Sequence, residues 1–393
     1  MEDILTIKQV SQLIGVHPET LRRWDKGGEL SAIRIGSRGD RRYRREDITA
    51  FISKSDQKRL RVASLFAGCG GLDLGFRGDF NFLGKHYPKH NYEIVYANDL
   101  IDAAMQTYRI NFKTNHAITG DFTEIVKDPD KIPDCDIILG GFPCQDFSVA
   151  GKRRGLEVKR GQLYLSMVEL VKHKKPMAFI AENVKGLLNI QAGEVIKIIE
   201  NDFAQVGYKV SVNLFNSANY GVPESRERVI ICGIRKDLEL DFTPPAPTHS
   251  GKAEDGLRPW VTAKDALQDL ESLQEGDAAN HFWSKAKHFP GTQGNSKISA
   301  HKPGPTMRAE HHGNIEFHYG LNRRLSAREA ARIQSFPDDF VFYRSTSDAY
   351  RQVGNAVAPV FGWHIAEALM NSLKPINAAG SALQPREAAL VGI

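Results

Sequence analysis

The chemistry in this chain gathers around Cys144. It stands in Gly140-Gly141-Phe142-Pro143-Cys144-Gln145-Asp146-Phe147-Ser148, just after the apolar run Asp136–Leu139, which reads as a strand. A lone cysteine is ordinarily a small buried hydrophobe. This one comes after a proline at the carboxyl edge of a strand, where open α/β sheets put their active sites. One strand later, Ala181-Glu182-Asn183-Val184 offers a carboxylate at a strand end. Pro223-Glu224-Ser225-Arg226-Glu227-Arg228-Val229 then brings two arginines two residues apart, and at the start of a strand both face the same way. A surface ion-pair ladder is the alternative for Arg226 and Glu227. Thiol, carboxylate and guanidinium are the groups of nucleophilic catalysis with proton and charge handling.

A second group lies at earlier strand ends. Phe66-Ala67-Gly68-Cys69-Gly70-Gly71-Leu72 is a glycine-rich turn in which backbone can approach a ligand closely. Asp99 ends the next strand, where a carboxylate holds ribose hydroxyls. Gly120-Asp121-Phe122 ends a third, its acid facing an adenine amino group and its ring packing on the base. Each acid could instead cap the helix after it. Together the three strand ends look like an adenosine site. With no G-x-x-x-x-G-K-[ST] present, ATP held by a P-loop is disfavoured.

These residues need a sheet to carry them. Strands are expected at Val62–Phe66, Ile94–Ala97, Ala117–Thr119, Asp136–Leu139, Ala178–Ala181, Lys209–Phe215 and Val229–Ile234, with helices at Ala103–Phe112, Gln162–Lys172 and Ala192–Val206 between them. That alternation predicts a mainly parallel sheet covered on both faces. Ahead of it, Ile7–Ile14 and Pro18–Lys26 read as two short helices separated by Gly15-Val16-His17. Six arginines between Arg34 and Arg45 form a basic run, by itself no more than a solvated loop. After Asp241 the regularity gives way to a stretch rich in Gly, His and Pro, and helical pattern returns at Ser326–Ser335 and Val360–Leu373. The expected domains are therefore 1–56, 57–240, 241–322, a return to the sheet domain at 323–375, and a frayed tail at 376–393.

Composition narrows the class. In 393 residues, 41% are hydrophobic and 25% charged, as in ordinary globular proteins, and the net charge of +5 is too small to prove a nucleic-acid partner. No apolar run nears the ~20 residues of a membrane helix, and no signal peptide is evident, so a cytoplasmic protein without a membrane partner is expected. The four cysteines form no C-x-x-C pair, which argues against zinc, a dithiol redox site or a disulfide framework.

In order along the chain, Phe66-Ala67-Gly68-Cys69-Gly70-Gly71, Gly141-Phe142-Pro143-Cys144-Gln145, Glu182-Asn183-Val184, Arg226-Glu227-Arg228, Arg324-Leu325-Ser326-x-Arg328-Glu329 and Gln352-Val353-Gly354-Asn355-Ala356-Val357 resemble the motifs of the DNA cytosine-5 methyltransferases. The resemblance spans about residues 61 to 373, apart from the variable small domain. It implies a Rossmann-like catalytic domain dependent on S-adenosylmethionine, with a loop-rich target-recognition domain at 241–322. It also implies that Cys144 adds to C6 of a flipped cytosine, that Glu182 engages N3 and the exocyclic amine with a raised pKa, and that Arg228 holds O2 with Arg226 in support. By the same resemblance Leu100, Gly141, Pro143, Leu163, Asn355, Ala356 and Val357 join the cofactor site. Lys152, Arg153 and Arg160 belong to a closing loop over residues 145–160 that grips phosphates. Arg308, His311 and His312 are candidate base readers by composition. The implied partners are double-stranded DNA and a cognate restriction endonuclease of a bacterial defence system.

Two departures stand out. Leu100 replaces an aromatic residue often found after the ribose-binding acid, and Ala356 replaces a common serine. The rival readings are an RNA cytosine methyltransferase and a non-catalytic regulator. The Cys144-Gln145-x-Phe147-Ser148 run and the small domain favour DNA, and the intact Cys144, Glu182 and Arg228 favour an enzyme. Exocyclic-amine methylation would need a [DNS]-P-P-[YFW] motif, which is missing. Residues 4–52 resemble a MerR/excisionase-type winged helix-turn-helix. That implies base contacts from Thr20 and Arg23 and phosphate contacts from Arg41 and Arg42 in the wing.

Overall fold

The computed structural model describes residues 4–14, 18–28, 30–36, 39–55, 59–142, 162–252, 256–285, 295–309 and 315–379. It divides into two compact units, Met1–Arg59 and Leu60–Ile393.

In the first unit, β1 (Ile4–Thr6), β2 (Ile33–Ile35) and β3 (Asp40–Arg44) pair antiparallel in the order β1-β3-β2. Helices Ile7–Ile14 and Pro18–Gly27 fall where the apolar spacing predicts them. A third helix, Arg45–Ser55, closes the unit and sends Ile48 and Phe51, one turn apart, onto the core. That core is Leu5, Val10, Leu21, Leu30, Tyr43 and Ile48. Since each buried large apolar side chain is worth about 1.5–3 kcal/mol, so small a cluster suits a small unit. The basic run becomes the β2–β3 hairpin, with Ile33 opposite Arg42 and Arg34 opposite Arg41.

The second unit is built on β4 (Leu60–Leu65), β7 (Tyr92–Asp99), β8 (Ala117–Thr119), β9 (Ile137–Gly140), β10 (Ala178–Val184), β11 (Tyr208–Asn216) and β12 (Glu227–Arg235), with a small hairpin of β5 (Phe80–Phe82) and β6 (Lys85–Tyr87). The sheet order is β11-β12-β10-β9-β4-β7-β8. All seven expected strands are present. Their residues alternate between two cores: Val62, Ile137, Leu139, Ile180, Ile230 and Cys232 face one side, while Ala63, Leu65, Ile138, Phe179, Ala181, Val229 and Ile231 face the other. This is the two-residue period of a sheet covered on both faces. The parallel rule breaks at one edge, where β12 runs antiparallel to both β10 and β11. The β11–β12 link, residues 217–226, holds only a short turn, and a parallel return needs a crossover of a dozen residues or more.

Successive strands leave β4 first toward β7 and β8, then toward β9 and β10. The reversal opens a crevice at the carboxyl ends of β4 and β9. Residues 241–322 carry short strand pairs and the helix Ala263–Leu267, and their buried Ala263, Ala266, Leu267, Leu270, Ile298 and Met307 share the first of the two cores. The helix Pro359–Ala379 returns to the sheet, where Tyr92 donates to the Ala366 carbonyl at 3.1 Å. Among the described residues no helix is long and apolar enough to cross a membrane.

Candidate active site

The turn after β4 is folded by its own backbone and by Asp99. Gly68 N–H donates to Asp99 Oδ2 at 2.9 Å, and Ile101 N–H to Oδ1 at 2.8 Å. One carboxylate thus ties the ends of two neighbouring strands. Burial pushes the Asp99 carboxyl above its usual range, against the pull of the Ile101, Gly68 and Leu100 N–H groups. A Cβ on Gly68 would meet nothing within 4 Å, so this backbone faces open space. Gly71 is different: a Cβ there would lie 2.2 Å from the Val357 carbonyl oxygen, so glycine lets the carboxyl-terminal motif close on the turn.

Asn98, buried in β7, donates to the Ile118 and Gly120 carbonyls at 3.0 and 3.1 Å and so holds the third strand end in place. There Asp121 caps the helix Phe122–Ile125, its Oδ1 accepting from Thr123 N–H at 2.9 Å and Thr123 Oγ1 at 2.8 Å. Phe122 is 2% exposed and meets Phe66 edge to face at 5.3 Å, so the ring open to a ligand is Phe66 rather than Phe122. Leu100, in the aromatic's place, is 68% exposed.

Past β9 the described chain stops at Phe142, so Pro143, Cys144, Lys152, Arg153 and Arg160 lie outside the described residues. The approach to Cys144 is nevertheless anchored. Asn183 Nδ2 donates to the Phe142 carbonyl at 2.8 Å, and Val184 N–H returns to Asn183 Oδ1 at 2.9 Å. Glu182, at the end of β10, pairs with Arg228 through Oε1 and Nε at 2.8 Å. A Cβ on Gly141 would stand 3.3 Å from Glu182 Oε2, which puts the carboxylate beside the strand end that leads to Cys144. Leu163, at the near end of the helix Gln162–Lys174, borders the same space.

A cleft of about 800 Å³ joins these parts, lined by Phe66 to Cys69, Gly71, Asp99, Leu100, Asp121, Phe122, Gly141, Leu163, Glu182, Arg228 and Asn355 to Val357. Three of the candidates are engaged by the protein itself. Gly70 does not line the cleft; its Cβ position is filled by Phe112 and Tyr108, at 2.5 and 2.9 Å, so it serves packing. Cys69 is buried, and its thiol donates to the Gln352 carbonyl at 3.8 Å rather than facing a ligand. Arg226 spends its guanidinium on carbonyls: Nη1 on Met307 at 3.0 Å, Nη2 on Gly354 at 2.9 Å and on Ala356 at 3.2 Å. It lines the cleft and braces it, with its guanidinium committed to the protein's own backbone. Burial lowers it to about 10, with Glu224 opposing. Sequence reasoning passed over Asn98 and Asn183. The signal for both was an asparagine just past the end of an expected strand, where a polar side chain brought into the interior needs a partner.

In the first unit, Thr20 and Arg23 lie on the helix Pro18–Gly27, and their side chains fall outside the described set. The wing differs from expectation at Arg41. Its Nε donates to Asp25 Oδ2 at 2.7 Å, as does Arg34 Nη2 at 2.7 Å. Burial of Asp25 is outweighed by Ala32 N–H and these two guanidiniums, which lower its carboxyl below the usual range. Arg41 therefore locks the wing to the helix, while Arg42 donates through Nη1 to the Arg41 carbonyl at 3.0 Å and stands 3.9 Å from Asp40. Arg308, in the second unit, is exposed; His311 and His312 lie outside the described residues.

An open α/β sheet with a glycine turn, strand-end carboxylates and a Glu–Arg pair in one crevice defines the methyltransferase class of folds. The C-5 cytosine-specific DNA methylase family model matches residues 60–371, and a helix-turn-helix domain model matches residues 4–56. The chain belongs to that methylase family and is a DNA cytosine-5 methyltransferase. It is 40% identical to the type II methyltransferase M.NgoFVII of Neisseria gonorrhoeae, over 78% of this chain and 85% of that one. It is 32% identical to M.SsoII of Shigella sonnei, over 94% of this chain and 95% of that one. Among solved structures, a protein described as a DNA modification methyltransferase encoded within a prophage (E. coli) superposes with a TM-score of 0.59 at 26% identity, covering 80% of this chain and 99% of that one.

Proposed function

We propose that the enzyme transfers a methyl group from S-adenosylmethionine to C5 of a cytosine flipped out of double-stranded DNA, with Cys144 as the covalent nucleophile. The observation that carries this reading is the Glu182–Arg228 pair, at 2.8 Å, in the same cleft as the glycine turn and Asp99. The residues present fit the cofactor: open space over Gly68, a carboxylate at each of two neighbouring strand ends, and the Phe66 ring in the same cleft. Asp99 would hold the ribose hydroxyls and Asp121 the adenine amine. When bound, S-adenosylmethionine supplies an electrophilic methyl group on sulfur.

Cytosine C5 is a weak nucleophile. Addition of the Cys144 thiolate to C6 turns the ring into an enamine whose C5 can take the methyl group. Glu182 meets N3 and the exocyclic amine and supports protonation as C6 is attacked, while Arg228 holds O2. Loss of the C5 proton then expels Cys144 and restores the ring. Flipping costs a few kcal/mol of stacking, offset by phosphate contacts from Lys152, Arg153 and Arg160. Sequence is read by the segment 241–322 in the major groove. The first unit, 1–56, binds DNA on its own account through Thr20, Arg23 and the wing, either repressing the enzyme's promoter or holding it on DNA. A cognate restriction endonuclease cutting the same site is the expected partner, in the cytoplasm of a bacterium.

Bisulfite sequencing of DNA from cells expressing the chain tests the activity, the modified base and its context together. Wild type is expected to trap covalently on 5-fluorocytosine DNA, because fluorine cannot leave as a proton does. A Cys144→Ala variant that still methylates would overturn the mechanism.

A further inference from the structure

A buried carboxylate lies under the cleft, and the methyl-transfer chemistry has no use for it. Glu224 is 0% exposed and precedes β12. Residues 304–307 are zipped onto its segment: Gly304 N–H donates to the Pro223 carbonyl at 2.8 Å, Ser225 N–H to the Gly304 carbonyl at 2.8 Å, and Thr306 Oγ1 to the Ser225 carbonyl at 3.0 Å. The last rung is made by side chains. Met307 N–H donates to Glu224 Oε1 at 2.5 Å, and Arg226 Nη1 donates to the Met307 carbonyl at 3.0 Å. Arg226 Nη1 stands 3.7 Å from that same Oε1, and Glu224 Oε2 has no hydrogen-bond partner among the described residues.

Burying a carboxylate is costly when one of its oxygens stays unpaired. Buried Arg226 is its counter-charge, and an ionised carboxylate holds Met307 N–H about twice as strongly as a neutral acceptor would. The two residues beyond Met307 show what that grip positions. The backbone of Arg308 and Ala309 presses onto Gly354, where a Cβ would lie 2.2 Å from Ala309 N, so only glycine admits the strap. Gly354 and Asn355 line the cleft, and Arg308 is exposed beside them.

We propose that Glu224 is a positioning residue for DNA engagement: through Met307 it fixes the strap 304–309, and with it the place of Arg308 at the rim of the cleft, where the guanidinium meets the DNA backbone. The inference rests on the reading of that cleft as the site of the flipped cytosine.

Burial raises the Glu224 carboxyl to about 7, with Arg226 and Arg228 pulling it down and Glu316, on the strand Ile315–Phe317, pushing it up. Arg324 and Arg308 in turn face Glu316. The carboxylate is therefore charged above neutrality and protonates as pH falls through that value, weakening its hold on Met307.

The test is steady-state kinetics on the full chain with DNA varied at saturating S-adenosylmethionine, from about pH 8 to about pH 6. In wild type the DNA KM should rise about fivefold across that range. Glu224→Gln should start high, stay flat, and keep kcat and cofactor affinity within about twofold of wild type. Arg308→Ala should raise the DNA KM, and adding Glu224→Gln to it should change little further. A Glu224→Gln enzyme that tracks wild type at every pH overturns the proposal. So does one that loses cofactor affinity and kcat as much as it gains in KM, since that is a merely structural defect. A wild type that leaves C5 unmethylated fails the reading of the cleft instead.

Discussion

Asn183 donates from Nδ2 to the Phe142 carbonyl at 2.8 Å, both side chains being buried, and so fixes the backbone two residues ahead of Cys144. Proximity catalysis tolerates little misplacement of a nucleophile. Asn183→Ala strands a buried carbonyl, at a cost of about 1–3 kcal/mol. It should lower the rate of methyl transfer by at least tenfold in single-turnover assays, with cofactor affinity kept. A rate within twofold of wild type would show that the Phe142 anchor is dispensable.

Glu182 and Arg228 form a pair at 2.8 Å, and the proposed mechanism gives each a separate task on the base. Glu182→Gln keeps the shape and removes the proton carrier, so kcat should fall by roughly 10²–10⁴, the usual span for a general acid or base. Arg228→Ala also leaves Glu182 without its cation, and should raise the KM for DNA as well as lower kcat. Stopped-flow transfer with both variants separates the two effects.

Asp99 accepts from Gly68 and Ile101 as well as facing the cleft. Asp99→Ala should weaken S-adenosylmethionine by roughly ten- to a hundredfold, at ~1–3 kcal/mol for each charge-assisted hydrogen bond lost. It should also lower the melting temperature, because it unties the glycine turn. Asp99→Asn keeps an acceptor and should lie between. Asp121→Ala removes a helix cap worth ~1 kcal/mol and should weaken binding less. Calorimetry and thermal melts report both quantities, and an unchanged affinity in Asp99→Ala would remove it from the site.

Acid should destabilise the second unit through His90 and His364, both held near pKa 4 by burial against an ordinary 6.5. The folded state binds fewer protons than the unfolded chain between these values. Stability is therefore fully present above about 6.5 and is lost as pH falls toward about 4. Each histidine accounts for on the order of 3 kcal/mol across that window. Urea midpoints measured over this range should fall with pH, and His364→Leu should flatten the slope. Equal slopes in the variant and wild type would exclude His364 as a source.

In the full chain, Thr20→Ala and Arg23→Ala should erase any footprint upstream of the coding sequence while leaving methylation of a short duplex unchanged. Asp25→Asn should act differently. By freeing Arg34 and Arg41 it should melt the first unit at lower temperature.

The sequence by itself determined the strands and the motifs they carry. Strand residues with a two-residue apolar period, and glycine, proline and acid at their ends, are local signals that need no knowledge of distant contacts. Hence Asp99, Asp121, Glu182 and Arg228 could be named from their positions at strand edges. Only tertiary structure decided how the equivalent-looking residues divide. Arg226 and Arg228 are alike in sequence, yet one is buried under Met307, Gly354 and Ala356 and the other faces Glu182. Arg41 looks as free as Arg42 until Asp25, from the preceding helix, is seen to hold it. The antiparallel turn of β12 and the grip of Glu224 on the strap were hidden for the same reason. Each depends on segments far apart in the chain, and a guanidinium or carboxylate takes its role from the partner that folding brings to it.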